Sequence, residues 1–315
     1  MNLGKRKALL AAVCAIAGLP TLSRPAGGQA ASSPLRVEQV RITNGMELHY
    51  VELGKGEPVV FVHGSLSDGS YWNPQLAEFA KKYHVIAYSR RYNQPNTNLA
   101  QPGYSAVTDA DDLAGLIEAK HLGRVHVIGH SYGAFTGLFL ATRHPEMVRS
   151  LVLAEAPAVS LLMHLPDTQG ESGRAIYAEV QREMVEPVKA AFQKRDRETG
   201  VKTFINFVLR NPMAWDSWSE QERQETLRNA HEWDVMMTSG EVFPVLEPEA
   251  VERIKAPTLL LSGESSYWFL RPIDEELERL LPNQKRIILK GATHRMWYEQ
   301  PEKCRSVVLE FLKGK

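Results

Sequence analysis

Cysteine is scarce: the 315-residue chain has two, Cys14 and Cys304. Cys14 falls in a leader-like N-terminus, so the remainder carries one thiol and can form no internal disulfide. A domain of this length can rest on its core alone, so the missing disulfide does not argue against export. Cysteine or histidine pairs at metal-site spacing are also missing, and no structural zinc site is expected. Neither sign of charge is in excess, with 37 Lys+Arg against 37 Asp+Glu. That balance gives no electrostatic reason to expect a nucleic-acid partner. Long apolar runs are lacking as well. The stretch Ala8–Leu19 has twelve residues, well short of the ~20 that span a bilayer as a helix. Beyond the leader there is no low-complexity segment, and no internal repeat.

What is present is an ordinary globular composition, 43% hydrophobic and 23% charged, enough to fill a sizeable core. Residues 1–30 have the layout of a secretory signal. Lys5-Arg6-Lys7 precede the apolar stretch, and Gly28-Gln29-Ala30 supplies a cleavage site. The expectation is export to a periplasm or the medium, with no stable membrane anchor. Four bases and no acid lie in that leader, so the remainder has 33 basic against 37 acidic residues, a net of −4.

Two β runs follow, Val37–Ile42 and Glu47–Leu53, with Asn44-Gly45 between them. Asn-Gly is the strongest two-residue hairpin signal, because both turn positions need φ > 0. Short, nearly all-apolar runs then alternate with helical patterns: Val59–Val62, Val85–Tyr88, Val125–Ile128, Leu151–Leu153, Thr258–Leu261 and Arg286–Leu289. Strands buried on both faces read this way, and their alternation with helices implies a parallel sheet with right-handed crossovers. Residues 158–250 lack such runs and read as helical. The expected organisation is an α/β core made of residues 34–157 and 251–315, with residues 158–250 inserted as a helical cap.

Gly129-His130-Ser131-Tyr132-Gly133 carries the first chemical signal. A Gly-x-Ser-x-Gly between a strand run and the helical run Ala134–Arg143 fits a nucleophile elbow, which projects Ser131 Oγ from the strand's C-terminal end. The first N–H groups of the helix there favour developing negative charge. His294 lies in Lys290-Gly291-Ala292-Thr293-His294, after the last strand run. A free imidazole titrates near neutrality and can take and return a proton. Its place after Ser131 in chain order makes it the candidate general base.

With these motifs in view, the chain from about Val37 to Leu312 resembles the α/β-hydrolase superfamily, including its Gly-Ala-Thr-His…Glu299-Gln300-Pro301-Glu302 ending. The resemblance implies that His63-Gly64-Ser65 is the oxyanion loop and that the Ser65 and Tyr132 backbone N–H groups form the hole. His63 itself is expected to be a hydrogen-bonded structural residue. The acid departs from the usual pattern. Members commonly place Asp three residues after the glycine closing the strand that matches Thr258–Leu261; here Gly263 leads to Ser266. A subset, including many haloalkane dehalogenases and fungal-type zearalenone lactonases, carries the acid one strand earlier. Glu155 stands at that place, 24 residues after Ser131, and is the expected triad acid, with Glu264 as its rival. A second departure replaces the usual Asp-x-Arg-Gly with Ser89-Arg90-Arg91-Tyr92-Asn93. Arg90 is expected to pair with a carboxylate, either bracing the loops or as a solvated surface pair.

Aromatic and methionine residues are the candidate substrate contacts: Trp72, Trp215, Trp218, Trp233, Met236 and Trp268, with Met237 beside them. Most such residues pack a helical layer, but a pocket between cap and sheet would draw on a few. A serine nucleophile selects attack on a carbonyl. The expected reaction is hydrolysis of a small to medium, largely apolar carboxylic ester or lactone, with no metal and no organic cofactor. The same triad would also support perhydrolysis or carbon–carbon bond hydrolysis, and the fold could serve as a non-catalytic binding protein.

Overall fold

The computed structural model describes residues 35–165 and 172–315; the expected signal segment and its cleavage site lie outside the described residues. One eight-stranded sheet runs in the order β1-β2-β4-β3-β5-β6-β7-β8. Its strands are β1 Val37–Arg41, β2 Glu47–Leu53, β3 Pro58–Val62, β4 His84–Tyr88, β5 Val125–His130, β6 Val148–Ala154, β7 Thr258–Gly263 and β8 Gln284–Leu289. β1 pairs antiparallel with β2 and β2 antiparallel with β4, while β3 to β8 are joined by parallel pairings. Each of the six apolar runs between Val59 and Leu289 became a strand. β3, β5 and β6 are central and covered on both faces, so their side chains are almost wholly buried.

Two details differ from expectation. The β1–β2 loop is not a two-residue turn. The Ile42 N–H donates to Met46 O at 2.9 Å and Gly45 N–H to Ile42 O at 2.9 Å, and in this loop only Gly45 has a positive φ, 85°. That is a three-residue connection ending in a left-handed glycine. β8 is an edge strand, and Ile288 is 56% exposed, so its apolar run does not mean burial on both faces.

The helix Tyr132–Arg143 packs beneath the centre of the sheet and buries Ala134, Phe135, Leu138 and Leu140 completely. Each such Leu or Phe contributes roughly 1.5–3 kcal/mol through burial. Between β6 and β7 the described chain is helical, including Glu186–Gln193, Arg197–Val208, Glu220–Arg228 and His231–Ser239. These helices belong to the same unit as the sheet, residues 36–315. The parallel arrangement brings the ends of β3, β5, β6 and β7 together at one edge, where Gly64, Ser131, Glu155 and Gly263 meet.

Candidate active site

Ser131 follows β5 directly and opens the helix Tyr132–Arg143 with φ 54° and ψ −122°. A non-glycine residue in such a conformation stores about 1–3 kcal/mol of strain and needs its surroundings to hold it. Its N–H donates to Ala154 O on β6 at 2.8 Å. Close packing explains Gly133: a Cβ there would sit 2.2 Å from Val62 O and 2.6 Å from His63 O. The elbow and the His63-Gly64-Ser65 loop are therefore pressed together, backbone on backbone.

Glu155 follows β6 with a second left-handed backbone, φ 56°, and is 1% exposed. Three donors converge on its carboxylate. Gly263 N–H reaches Oε1 at 2.7 Å, Ser266 Oγ reaches Oε2 at 2.6 Å, and His294 Nδ1 lies 2.5 Å from Oε2. With Nδ1–H bound in this way, the Nε2 lone pair of His294 is free to accept a proton. The imidazole stacks on Tyr267 at 4.3 Å between ring centres and lies 4.6 Å from His130. His130 Nε2–H fixes His294 from its backbone, donating to His294 O at 2.8 Å. Burial, and then the adjacent His294, hold His130 well below the usual histidine range, which suits a neutral donor.

The His63-Gly64-Ser65 loop, the expected oxyanion loop, is braced from below. His63 is fully buried, its Nδ1–H donates to Gly64 O at 2.8 Å, and its Nε2 accepts from Arg90 N–H at 3.0 Å. Burial, with Arg90 adding, lowers its pKa to about 3, so it stays neutral. Arg90 is fully buried too; it donates to Gly64 O at 3.2 Å and to Asp109 at 2.6 Å, and it pairs with Glu232. The alternative of a solvated Arg90 pair is thus corrected. Among the described residues, neither Ser65 N–H nor Tyr132 N–H donates to another backbone group.

Two cavities meet at Ser131 and His294. One is a narrow apolar cleft of about 40 Å³, walled by Trp233, Met236, Phe204, Phe243 and Phe269, which Ser65 and Tyr132 also border. The other is an open groove of about 690 Å³ with mixed walls, Ile205, Val208 and Trp218 beside Asp68, Asn229 and Arg295.

A family model described as "Alpha/beta hydrolase family" matches residues 59–307. The chain belongs to that family. It is 27% identical over 291 residues to the 2-hydroxy-6-oxo-6-(2'-aminophenyl)hexa-2,4-dienoic acid hydrolase of Metapseudomonas resinovorans, across 88% of this chain and 91% of that one. It is 24% identical over 294 residues to the 2-(acetamidomethylene)succinate hydrolase of Mesorhizobium japonicum, across 88% and 94%. Carboxylesterase CesB from Bacillus subtilis shares the fold with a TM-score of 0.66 at 19% identity, across 90% and 93% of the two chains.

Within this alpha/beta hydrolase the sequence-derived candidates divide. Ser131, His294, Ser65, Tyr132, Trp233 and Met236 border the cleft, and Trp218 borders the groove. Trp72, Trp215 and Trp268 border neither, which corrects their expected substrate contact. Trp72 is wholly buried against Phe61 at 5.0 Å and Trp297 at 4.9 Å. Trp215 is buried against Trp218, and Trp268 lies under the Arg210 guanidinium at 3.9 Å. Met237 is buried away from both cavities. Glu264 does not reach His294: its carboxylate accepts from Gly291 N–H at 2.8 Å. The sequence reading missed Tyr267, whose place one residue after Ser266 was the available signal. It also missed Glu232, whose partners lie far away in sequence.

Proposed function

We propose that this alpha/beta hydrolase is a serine hydrolase that cleaves a carboxylic ester or lactone through an acyl-enzyme. The observation that carries the reading is the Glu155–His294 pair, 2.5 Å apart, at a cavity bordered by Ser131 on its strained elbow. In this mechanism Ser131 Oγ attacks the carbonyl carbon while His294 Nε2 takes the hydroxyl proton. The tetrahedral oxyanion rests on the Ser65 and Tyr132 N–H groups, donors worth a few kcal/mol each. Collapse expels the alkoxide, which receives the proton from His294. Water then attacks the acyl-enzyme with His294 as base, and the acid leaves. Glu155 keeps the tautomer and balances the imidazolium charge. The apolar cleft suits a short acyl group and the wider, mixed-walled groove a larger alcohol portion. No metal or organic cofactor takes part, and export by way of the leader belongs to the same reading.

The Metapseudomonas resinovorans relative favours a second reading, carbon–carbon bond hydrolysis. Breaking a carbon–carbon bond must expel a carbanion, a far poorer leaving group than the alkoxide of an ester, so ester cleavage is preferred. The test is a panel of chromogenic esters and lactones, run with the chain from Ala31 onward and with Ser131→Ala. Turnover of short acyl esters that disappears in Ser131→Ala is expected. Preferential cleavage of an aryl dienoic ketone would select the second reading instead. A folded protein that is silent on every substrate and resists a serine-directed phosphonate would overturn both.

A further inference from the structure

We propose that Glu232, a carboxylate on the inserted helical segment, is the positioning residue for the oxyanion loop, so that the cap governs turnover as well as substrate fit. This inference rests on the Ser131 hydrolase reading. The two peptide groups flanking Ser65 are both held by one buried cluster. Gly64 O accepts from Arg90 and His63, and the Leu66 N–H donates to Glu232 Oε1 at 2.5 Å across 166 residues of sequence. The other oxygen of Glu232 pairs with Arg90, and the side chains of Arg90, Glu232 and Asp109 are 0%, 0% and 1% exposed.

An outside hold on this loop is needed because Leu66 has φ 55°, a left-handed backbone that costs an ordinary L-residue about 1–2 kcal/mol. Without Glu232 the Leu66 N–H would be buried without an acceptor and the loop could relax, swinging the Ser65 N–H away from the oxyanion. Glu232 lies in the first turn of helix His231–Ser239, and the same helix carries Trp233 and Met236 into the cleft wall. An acyl group that fills the cleft therefore presses on the helix that holds the loop. Such coupling discriminates among substrates in kcat, where transition-state contacts are read, rather than in KM.

The test compares Glu232→Gln with Asp109→Asn. Each neutralises one carboxylate of the buried Arg90, but only the first touches Leu66: Glu232 takes two donors on two oxygens, an amide has one accepting oxygen, and the charged Arg90 claims it and turns the NH2 against the Leu66 N–H. Glu232→Gln is expected to lower kcat on a short acyl ester 10- to 100-fold with KM within threefold. Affinity for a trifluoromethyl ketone, which forms a tetrahedral adduct, should fall by the same factor, while inhibition by the product acid stays put. Amide exchange over residues 63–67 should speed up. Asp109→Asn should lose similar thermal stability yet keep kcat within threefold, and Glu232→Asp should recover part of the loss. Parallel losses of kcat in both variants, or unchanged ketone affinity in Glu232→Gln, would overturn the proposal. A wild-type protein that neither turns over esters nor reacts with a phosphonate would instead defeat the Ser131 reading, and this inference with it.

Discussion

Replacing Glu155 by Gln changes one atom and should be the most damaging conservative substitution outside Ser131 and His294. The carboxylate accepts from Gly263 N–H, Ser266 Oγ and His294 Nδ1, whereas an amide offers a single accepting oxygen. If that oxygen faces His294 and Ser266, the amide NH2 meets the Gly263 N–H. If it faces Gly263, the NH2 turns toward His294, drives the proton to Nε2 and removes the base. Either way the imidazolium loses its counter-charge. Two unit charges ~4 Å apart at an effective dielectric of ~20 interact by about 4 kcal/mol, which corresponds to about 10³ in rate at 1.36 kcal/mol per decade. Steady-state kinetics on a short acyl p-nitrophenyl ester should show kcat down by about 10³ with KM little changed. Glu264→Gln is the matched control. Its oxygen can still accept from Gly291 N–H, and kcat should stay within twofold. Less than a tenfold loss in Glu155→Gln, or a collapse in Glu264→Gln, refutes the assignment of the acid. Adding Ser266→Asp to Glu155→Gln puts a carboxylate at the position the family commonly uses, and should restore at least ten-fold of the loss.

Gly133→Ala would force a Cβ to within 2.2 Å of Val62 O, so denaturant unfolding should show a loss of about 3–5 kcal/mol or no folded protein. Met236→Ala opens the cleft by three side-chain atoms, and the ratio of kcat/KM for hexanoyl over butyryl esters should rise at least about tenfold. His63 has a folded-state pKa of about 3, lowered by burial and Arg90, against ~6.5 unfolded. The unfolded chain therefore binds more protons between these values. The stabilisation is complete above pH ~6.5 and is lost as pH falls toward 3. Unfolding free energy should drop by about 2 kcal/mol from pH 7 to 5 on account of His63, His130 acting in the same sense, and His63→Gln should flatten the slope.

The sheet was legible because strands covered on both faces must be mostly apolar: β3 is so throughout, and in β5 the buried His126 is matched by Ser150 on β6. The site was legible where chemistry is local: Gly-x-Ser-x-Gly between strand and helix, and His294 after the last strand. Glu155 became readable through a gap, since Ser266 stands where an acid is usual. The structure adds that Ser266 still serves the dyad by donating to Glu155. Other features were not legible for physical reasons. A buried tryptophan and a pocket tryptophan have the same composition signal, so Trp72 and Trp233 cannot be told apart without packing. Arg90 finds Asp109 and Glu232 at separations of 19 and 142 residues, and no periodicity links such positions. The Asn44-Gly45 turn failed because Asn44 does not take the left-handed conformation that a two-residue loop demands.

With Glu155 after β6 as the proposed acid, the segment after β7 is relieved of that charge. In the common arrangement that segment must hold a charged side chain against the histidine, and its freedom to vary is small. Here it supplies only a backbone N–H from Gly263 and a hydroxyl from Ser266 to the carboxylate. The next residues, Tyr267, Phe269 and Leu270, turn to the apolar cleft. Under the proposed reaction, proton handling and substrate choice are thereby divided between neighbouring strand ends. Phe269 and Leu270 form a region where new acyl preferences can be selected while the charge pair stays intact.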